Sequence, residues 1–495
     1  MKTRMKIKDI IEGLSCEVHG ARDLEVADVH FDSRRVKEGT LFVAQRGTKV
    51  DGHEYIGGAI EKGAVAVVCE QLPKALADGV TYIVVEDSSY ALGVMASNFY
   101  GQPSRKLRLV GITGTNGKTT TVTLLHRMFR MAGFHVGLIS TIVNKIDEEE
   151  LPTGHTTPDA VELNGLLSRM VEAGCEYCFM EVSSHSVVQH RVAGLTFAGG
   201  IFSNITHDHL DFHKTMANYI AAKKGFFDML PAGAWALTNV DDRNGMVMVQ
   251  NTKAAVSTYS LTRAADFSCR VLEDTFEGMM LEIRSRRDGA TKSNEIWCRL
   301  VGRFNAYNLL AIYSAAVLCG VEEAEALRLL SVLEPAPGRF QYVSGKGVTA
   351  IVDYAHTPDA LQNVISTISE IRRPTQALIT VVGCGGDRDK TKRPEMAKIA
   401  SEGSDKLVLT SDNPRTENPD RILDDMEAGL TAIQLSHTVR ISDRRQAIRT
   451  ACMMAKEGDI VLVAGKGHET YQEVNGVRSH FDDVEELKKC LCDKE

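Results

Sequence analysis

Short apolar runs separated by glycine-rich or polar turns recur along the first hundred residues. Four of them have the length and β-branched content of strands, namely VADVHFDS, GTLFVAQRG, AVAVVCE and VTYIVVEDS. The amphipathic stretch YALGVMASNFYG follows them and favours a helix. This alternation predicts a small N-terminal α/β domain over residues 1–103, ending in a linker at residues 101–104.

A second series of apolar runs begins at residues 107–113, which read LRLVGIT and predict a buried strand. Residues 119–131 predict a helix that stops before Gly133, and a glycine loop lies between the two elements. The strand-like runs YCFMEVSS, AGGIFSN and GAWALTNV follow. We predict a central nucleotide-binding α/β domain with a mainly parallel sheet over residues 104–335.

A third series consists of VTAIVDYA, ALITVVG, KLVLTSD and DIVLVAG, each separated from the next by a segment of helix length. This pattern predicts a parallel-sheet domain over residues 336–495. Ligands of such open sheets bind beyond the carboxyl ends of the strands. The polar segments SDNPR and GKGHE fall at those ends, so we expect a binding site there.

Charge and composition narrow the possible partners. The 495 residues carry 65 acidic and 57 basic side chains, a net charge of −8 without a broad basic region for nucleic acid or anionic membrane. No run approaches the roughly 20 apolar residues needed to cross a bilayer, and no signal peptide is visible. We expect a cytoplasmic protein that binds small molecules and does not insert into membranes.

Eleven cysteines are scattered along the chain, and we expect reduced, mostly structural thiols. Cys175 and Cys178 have the spacing of half a zinc site, but a second pair is missing. The segment THDHLDFH brings His207, His209 and His213 together in sequence and makes zinc a second possibility. Neighbouring phosphate chemistry and the lack of cysteine partners disfavour that reading, and exposed or capping histidines are the alternative.

The loop GITGTNGKTT, residues 111–120, has the elements of a phosphate site. Backbone N–H groups from Gly114 to Gly117 precede a helix N-terminus, Lys118 supplies positive charge and Thr119 can reach Mg²⁺. The spacing is irregular, because Ile112 occupies the position where a glycine is usual. The order strand, loop, helix favours ATP over a glycine turn without ligand. Glu181, at the end of an apolar run, is a candidate Mg²⁺ ligand or else a solvated acid.

Together these segments resemble a known family, the Mur ligases. The motifs that carry the resemblance occur in the family's order and span nearly the whole chain: FDSRRV, GTNGKTT, MEVSSH, THDHLDFH, YIAAK, GRFNAYN, PGRF, DYAHTPD, GCGGDRDKTKRP, DNPR and GKGHETYQ. The family's phosphate loop is similarly spaced. The resemblance implies three domains: one for a UDP-sugar, a central P-loop-type ATPase domain, and a Rossmann-like domain that receives an amino acid.

The resemblance also implies a reaction. ATP would phosphorylate the D-Glu carboxylate of UDP-MurNAc-L-Ala-D-Glu, and the amine of an amino acid would attack the acyl phosphate and expel phosphate. Such a step requires Mg²⁺ and cations around the transferred group. The implied partners are this UDP-linked substrate, ATP and meso-diaminopimelate, and we expect a monomer.

Site residues follow from the matching motifs. The implied catalytic residues are Lys118, His209 and Lys223, the last as a carbamate, although Lys224 beside it leaves the match ambiguous. The implied metal ligands are Thr119, Glu181, His209 and Lys223. ATP would be bound by Gly114, Thr115, Asn116, Gly117, Lys118, Thr119, Thr120, Asn305 and Arg339, with Asn308, Asp353 and His356 as further candidates. The UDP-linked substrate would contact Ser33, Thr156, Thr157, Ser183, Gln189 and Arg191.

In this family DNPR marks the enzymes that add meso-diaminopimelate, and a physical reason can be given. The remote end of this amino acid carries an ammonium and a carboxylate, whereas lysine has only the ammonium. Arg415 can bind the carboxylate bidentately, and Asp412 and Asn413 can accept from the ammonium. The implied amino-acid contacts are Arg388, Asp412, Asn413, Pro414, Arg415, Gly465 and Glu469.

Three alternatives stay open. The first is the same ligase acting on L-lysine, which DNPR argues against. The second is a folate-polyglutamate ligase, which shares the phosphate loop but is disfavoured by FDSRRV and the full N-terminal domain. The third is a non-catalytic relative that binds a nucleotide-sugar, although Lys118, Glu181, His209 and Lys223 are all present.

Overall fold

The computed structural model describes residues 4–47, 50–206, 208–287 and 289–492, and for residue 211 only the backbone. His207, one of the three histidines considered for zinc, lies outside the described residues. The chain divides into two compact units. The first contains the chain up to Gly114, Thr121–Asn204 and Ala217–Thr258, and the second contains Thr115–Thr120, Ile205–Met216 and the chain from Tyr259 onward.

The N-terminal part of the first unit is a small α/β layer structure. Its strands are β1 (Met5–Lys6), β2 (Cys16–His19), β3 (Glu25–Val26), β4 (Asp28–His30), β5 (Thr40–Val43), β6 (Ala64–Cys69) and β7 (Thr81–Val85). Its helices are α1 (Ile7–Ile10), α2 (Ile56–Glu61) and α3 (Ser88–Phe99). Five strands form one sheet in the order β2-β7-β6-β5-β4, in which only the β2–β7 pair is antiparallel.

Alternation along these strands explains the packing. Leu41 and Val43 of β5 point into one apolar cluster, and Phe42 between them points into another on the opposite face. Because both faces are covered, the strands read as nearly continuous apolar runs. The four predicted strands and the predicted helix of this region are confirmed as β4 to β7 and α3.

The central part of the chain continues with longer elements. Its strands are β8 (Arg108–Thr113), β9 (Val136–Ile139), β10 (Asn144–Ile146), β11 (Glu149–Leu151), β12 (Tyr177–Glu181), β13 (Gly199–Phe202), β14 (Trp235–Asn239), β15 (Ala255–Ser260), β16 (Phe267–Thr275), β17 (Gly278–Arg287) and β18 (Ala290–Cys298). Its helices are α4 (Lys118–Met131), α5 (Ala160–Glu172), α6 (Ser184–Val188), α7 (Leu210–His213), α8 (Met216–Asp228), α9 (Gly245–Met248), α10 (Arg303–Leu318) and α11 (Glu323–Val332).

In the first unit, β9, β12, β8, β13 and β14 are parallel neighbours in that order. The strand that precedes the glycine loop, β8, therefore lies in the middle of the sheet, as the buried run LRLVGIT predicts. The short strands β10 and β11 extend the edge in antiparallel fashion. In the second unit, β16, β17 and β18 form an antiparallel meander, which the apolar pattern did not predict.

The C-terminal part of the second unit has its own sheet. Its strands are β19 (Gln341–Gly345), β20 (Val348–Asp353), β21 (Leu378–Val382), β22 (Lys406–Leu409), β23 (Thr438–Arg440), β24 (Ile460–Ala464), β25 (Tyr471–Val474) and β26 (Val477–His480). Its helices are α12 (Pro358–Ile371), α13 (Lys392–Gly403), α14 (Pro419–Glu427), α15 (Ala432–Ser436), α16 (Arg444–Met454) and α17 (Asp483–Leu491).

Strand order in this sheet is β19-β20-β24-β21-β22-β23, and only β19 is antiparallel to its neighbour. Apolar clusters cover both faces, which explains the all-apolar strands. The carboxyl ends of β24, β21 and β22 are adjacent, so the segments GKGHE, GCGGDR and SDNPR meet at one edge. The predicted position of SDNPR and GKGHE at strand ends is confirmed. Across the described ranges, no helix is long and apolar enough to cross a membrane.

Candidate active site

Two positions of the phosphate loop, Gly114 and Gly117, require glycine because of the atoms around them. Gly114 has φ +155°, and a Cβ there would lie 1.9 Å from Ser203 Oγ. Gly117 has φ +87°, and a Cβ there would lie 2.4 Å from Asn308 Oδ1. Only glycine fits such backbone angles and such close approach without strain. Glycine is therefore required at both positions, and the loop leads into helix α4.

Within the second unit, side chains after Gly114 hold the loop in place. Lys118 Nζ donates to the Thr115 carbonyl at 2.8 Å, which folds the lysine back over the loop. Asn116 Nδ2 donates to Asp359 Oδ2 at 2.6 Å, and Thr206 Oγ1 donates to the same oxygen at 3.2 Å. Burial raises the pKa of Asp359, and these two donors oppose the rise. Asp359 was not among the residues predicted from the sequence, although it lies in the motif DYAHTPD.

The structure distinguishes Lys223 from Lys224. Lys223 on α8 is 1% exposed; its Nζ donates to the Gly114 carbonyl at 2.7 Å and lies 4.6 Å from the Tyr219 ring centroid. Lys224 points away and pairs with Asp228 at 2.7 Å, one helical turn later. Of the two lysines, only Lys223 is therefore buried beside the phosphate loop.

Glu181, the last residue of β12, is 1% exposed, and Thr141 holds its carboxylate. Thr141 donates its backbone N–H to Glu181 Oε1 at 2.8 Å and its hydroxyl to Oε2 at 3.2 Å. The carboxylate is thus fixed in direction and is not a solvated surface acid. The same threonine hydroxyl is 3.1 Å from Thr156 Oγ1, which ties the candidate metal ligand to a candidate substrate residue.

Five of the six residues assigned to the UDP-linked substrate form one network in the first unit. Thr157 Oγ1 donates to the Glu181 carbonyl at 2.8 Å and accepts from the Ser183 N–H at 3.2 Å. Arg191 Nη1 donates to the Thr157 carbonyl at 2.7 Å, and Arg191 Nε and Nη2 both donate to Gln189 Oε1, at 3.0 and 2.7 Å. The network positions these residues before any ligand arrives.

Ser33, the sixth, lies in the loop after β4, where its carbonyl accepts from Lys62 Nζ at 3.0 Å. The described contacts do not connect its side chain to the other five. A cavity of about 770 Å³ adjoins this loop in the first unit, and its lining includes Arg34, Arg35, Lys37, Tyr100 and Glu162.

His209 lies in the second unit and has a left-handed backbone with φ 53°. Its ring Nε2 is 3.4 Å from Asp208 Oδ2, and its N–H donates to Asp208 Oδ1 at 2.9 Å. Burial raises the pKa of Asp208, but the charges of His209, His356 and Lys118 outweigh it and the net shift is downward. Among the described residues, no three His, Cys, Asp or Glu side chains are grouped as a metal site, and all eleven cysteines are free.

Four of the candidate ATP-binding residues lie on α10 or around strand β20, and they differ in their hydrogen bonds and burial. Asn305 Nδ2 donates to the Val301 carbonyl at 2.8 Å, and its Oδ1 accepts from Asn308, so its amide is used inside the fold. The Arg339 guanidinium lies 4.9 Å from the Tyr354 ring centroid. Asp353 Oδ2 accepts from the Phe340 N–H at 2.7 Å. Burial raises the pKa of Asp353 to about 6, and burial lowers the pKa of His356 to about 4.

The DNPR segment is wedged between two glycines and a hairpin. Arg415 Nη1 donates to the Gly386 carbonyl at 2.7 Å, and a Cβ on Gly385 would lie 2.9 Å from that nitrogen and 3.8 Å from Arg388 Cγ. Arg415 has φ 51°, and its N–H donates to the Glu473 carbonyl on β25 at 3.1 Å. A left-handed arginine is costly, so the surrounding contacts must impose it. Arg388 and Arg415 thus approach one glycine.

Pro414 contributes its backbone to the same packing. A Cβ on Gly386 would lie 1.9 Å from the Pro414 carbonyl oxygen, so a larger residue at Gly386 would displace the segment. On the other side, Gly465 has φ +116°, and a Cβ there would lie 2.7 Å from Asp412 Oδ2. The two glycines let the ends of β21, β22 and β24 approach closely enough to present Asp412 and Arg415 together.

Asn413 has a role that sequence reasoning did not anticipate. Its Nδ2 donates to Glu469 Oε2 at 2.7 Å, and its Oδ1 accepts from Lys466 Nζ at 3.1 Å and from the Glu473 N–H at 2.9 Å. The amide is therefore occupied within the protein and orients the Glu469 carboxylate. Lys466 was not predicted as a site residue, because the sequence does not show that the lysine of GKGHE is buried.

Beneath this edge lies a fully buried ion pair. Arg444 of α16 donates Nε and Nη2 to Asp483 of α17 at 2.8 and 2.7 Å, and both side chains have no exposed surface. The guanidinium also donates to the carbonyls of Ser411 and Ala464, at 3.4 and 3.1 Å. The pair therefore supports the two loops that carry Asp412 and Gly465. The sequence carries no signal for it, because its partners are 39 residues apart.

The chain is similar to known proteins over nearly its whole length. Residues 25–100 match the Mur ligase family catalytic domain, residues 112–316 the Mur ligase middle domain, and residues 338–467 the Mur ligase glutamate ligase domain. A UDP-N-acetylmuramoyl-L-alanyl-D-glutamate--2,6-diaminopimelate ligase of Parabacteroides distasonis is 57% identical, covering 98% of this chain and 99% of the relative. A protein of the same name from Bacteroides fragilis is 55% identical with the same coverage.

A solved structure of a ligase with that name is 32% identical and superimposes with a TM-score of 0.71, covering 99% of both chains. The chain belongs to the Mur ligase family. The predicted family, the three family segments and the α/β fold are confirmed. The roles of individual site residues and the exact domain limits stay predictions.

Proposed function

We propose that this chain is an ATP-dependent ligase that adds meso-diaminopimelate to the D-Glu carboxylate of UDP-MurNAc-L-Ala-D-Glu. The products are the UDP-MurNAc-tripeptide, ADP and phosphate, and we place the reaction in the cytoplasm, carried out by a monomer. The observation that carries this proposal is the DNPR segment, which places Arg415 at the carboxyl edge of the C-terminal sheet. Relatives with 55–57% identity bear the name of that reaction.

The reaction proceeds in two transfers. A carboxylate is unreactive toward an amine, so an oxygen of the D-Glu carboxylate first attacks the γ-phosphorus of ATP, and ADP leaves. The amine of meso-diaminopimelate then attacks the acyl carbon, loses a proton and expels phosphate. In the first transfer, the N–H groups from Gly114 to Gly117 and the Lys118 ammonium hold the phosphates and offset the charge that develops.

The other residues proposed to bind ATP are two threonines of α4, Arg339 and Asn305. Thr119 and Thr120 lie in the first turn of α4, where N–H groups face a bound phosphate. Arg339 Nε is buried and has no hydrogen-bond partner among the described residues, which suits it to an incoming phosphate or ribose oxygen. Asn305 keeps its place in the assignment through the support it gives Asn308, which packs against Gly117.

Magnesium fits the donor types of the proposed ligands, namely Thr119, Glu181, His209 and Lys223 as a carbamate. Mg²⁺ prefers one or two carboxylates together with substrate phosphates, and the buried, pre-oriented Glu181 carboxylate is such a donor. When bound, the ion would neutralise charge on the transferred phosphoryl group. Glu181 and Lys223 belong to the first unit and Thr119 and His209 to the second, so this assignment rests on the motifs.

For the UDP-linked substrate, we propose that the network around Thr157 and Arg191 binds the part next to the reacting carboxylate. Arg191 is already oriented by Gln189, so little side-chain freedom is lost on binding. Ser183 caps α6 by accepting from the Ser186 N–H at 3.1 Å, which leaves neighbouring N–H groups at a helix start. Ser33 and Thr156 complete the proposed contacts.

For the amino acid, we propose that Arg415 and Arg388 bind the remote carboxylate and that Asp412 and Glu469 accept from ammonium groups. Asn413 acts by fixing the Glu469 carboxylate, and Pro414 and Gly465 shape the walls. Lysine would leave Arg415 without its anion, which costs a few kcal/mol and corresponds to roughly 10²–10⁴ in rate.

The test is ATP-dependent phosphate release with UDP-MurNAc-L-Ala-D-Glu and Mg²⁺, comparing meso-diaminopimelate with L-lysine, for wild type and Arg415→Ala. We expect release with meso-diaminopimelate only, and a loss of kcat/KM by about 10²–10³ in the variant. Equal release with lysine would support the lysine enzyme instead. Nucleotide binding without release would support the non-catalytic reading and refute the proposal.

A further inference from the structure

Lys466 is a fully buried lysine within the amino-acid edge of the C-terminal sheet. Its ammonium donates to Glu469 Oε2 at 2.9 Å and to Asn413 Oδ1 at 3.1 Å. It also lies 5.3 Å from the Tyr471 ring centroid, within the range of a cation–π contact. A buried lysine is rare unless it is paired, so its side chain serves this edge and not the surface.

The contacts of Glu469 show how its carboxylate is oriented. Oε2 accepts from both Lys466 and Asn413, whereas Oε1 is 3.5 Å from the Tyr354 hydroxyl. The two strong donors therefore occupy one oxygen and leave the other in the direction of Tyr354. A substrate ammonium can approach Oε1 without displacing either donor.

The charges of the buried and partly buried side chains at this edge sum to zero. Asp412 and Glu469 contribute two negative charges, and Lys466 and Arg415 contribute two positive charges. Glu473 adds none, because it pairs with Arg478 at 3.0 Å, and Arg388 is exposed, so solvent screens its charge. Because Asp412 and Lys466 are almost or wholly buried, a net charge brought into this edge would be poorly solvated.

We propose that Lys466 is a specificity-determining residue, whose buried positive charge makes this edge neutral and thereby favours an amino acid with a zwitterionic remote end over one with a lone ammonium. Without Lys466 the edge would carry a charge of −1, which complements the single positive charge of a lysine side chain. Arg415 would supply the contact to the carboxylate, and Lys466 would set the charge balance. The inference rests on the proposed function.

The experiment compares kcat/KM for meso-diaminopimelate and for L-lysine in wild type and Lys466→Met, by ATP-dependent phosphate release. The expected result is a roughly 30- to 300-fold fall in the ratio of the two values, with an absolute rise for lysine. This is the effect of removing one unit charge about 5–8 Å from the remote end of the substrate at an effective dielectric constant near 20. The matched control is Lys398→Met on α13. This lysine is 59% exposed and forms a long ion pair of 3.9 Å with Glu402, so the variant should keep the wild-type ratio.

A merely structural role for Lys466 predicts a different result. Loosening of the site would lower both values together and leave their ratio unchanged, and this outcome would overturn the inference. If Lys466→Met is too unstable to assay, Lys466→Gln removes the same charge while keeping a donor for Glu469, and the same fall in the ratio is expected. KM for ATP should stay within threefold of wild type in either variant. A wild-type enzyme inactive with both amino acids would overturn the proposed function, and this inference with it.

Discussion

Replacing Asp483 by Asn tests the buried ion pair under the amino-acid edge. The substitution keeps the size of the side chain but removes the charge that compensates Arg444. Both side chains are fully buried, so water cannot take over the role of the lost carboxylate. The guanidinium would keep only its contacts to the carbonyls of Ser411 and Ala464.

The magnitude follows from the geometry. Two charge-assisted hydrogen bonds of 2.8 and 2.7 Å are weakened in a region without solvent screening. Removing one partner of such a pair costs about 3–5 kcal/mol, because a buried charge is left without compensation. Replacing both partners by apolar residues costs less, since no charge is left behind. We therefore expect Arg444→Met with Asp483→Leu to be about 2 kcal/mol more stable than Asp483→Asn alone.

The assay is urea unfolding followed by far-ultraviolet circular dichroism, with the unfolding free energy taken by linear extrapolation. Arg445→Met is the matched control. This neighbouring arginine is 57% exposed and pairs with Glu486 at 3.1 Å, so its loss should cost no more than about 1 kcal/mol. The reasoning is refuted if Asp483→Asn costs less than about 1 kcal/mol, or if the double variant is less stable than the single one.

Three further predictions concern the phosphate loop, the buried lysine and one carboxyl group. Gly117→Ala should lower kcat/KM for ATP at least tenfold, because its Cβ would lie 2.4 Å from Asn308 Oδ1 at φ +87°. Lys223→Met should lower kcat at least a hundredfold if the carbamate is required, measured by phosphate release at saturating substrates. Burial raises the pKa of Asp274 to about 6, so its contribution to stability is present below pH 4 and lost as the pH rises toward 6. Asp274→Asn should remove that pH dependence from the melting temperature.

Each of these predictions has its own control. Gly57→Ala adds a methyl group where nothing lies within 4 Å, and it should leave the reaction with ATP unchanged. Lys224→Met removes only the surface pair with Asp228, so a loss as large as that of Lys223→Met would contradict the assignment. For Asp274, the half-exposed site reduces the effect to about 1 kcal/mol, and an Asn variant with the wild-type pH profile would contradict the stated cause.

Much of the candidate site could be predicted because its residues follow the strands that carry them. Thr119 lies in the first turn of the helix that follows an apolar strand, Glu181 is the last residue of another strand, and Arg415 lies six residues beyond the end of β22. Sequence reasoning could not assign Lys466, Asp359 or the Arg444–Asp483 pair, because their roles depend on contacts between distant segments. Nor does the sequence show that the Asn413 amide bonds within the protein, to Glu469 and Lys466.

The amino-acid sequence by itself determined the parallel strands, the phosphate loop and the family, since apolar runs and glycine positions are local properties with a fixed period. Only the tertiary structure decided which polar groups are buried and paired. Lys223 and Lys224 are adjacent and chemically identical, yet one donates to the Gly114 carbonyl and the other pairs with Asp228. Burying a charged side chain is favourable only when partners from remote parts of the chain compensate it, and no local pattern records where those partners will be.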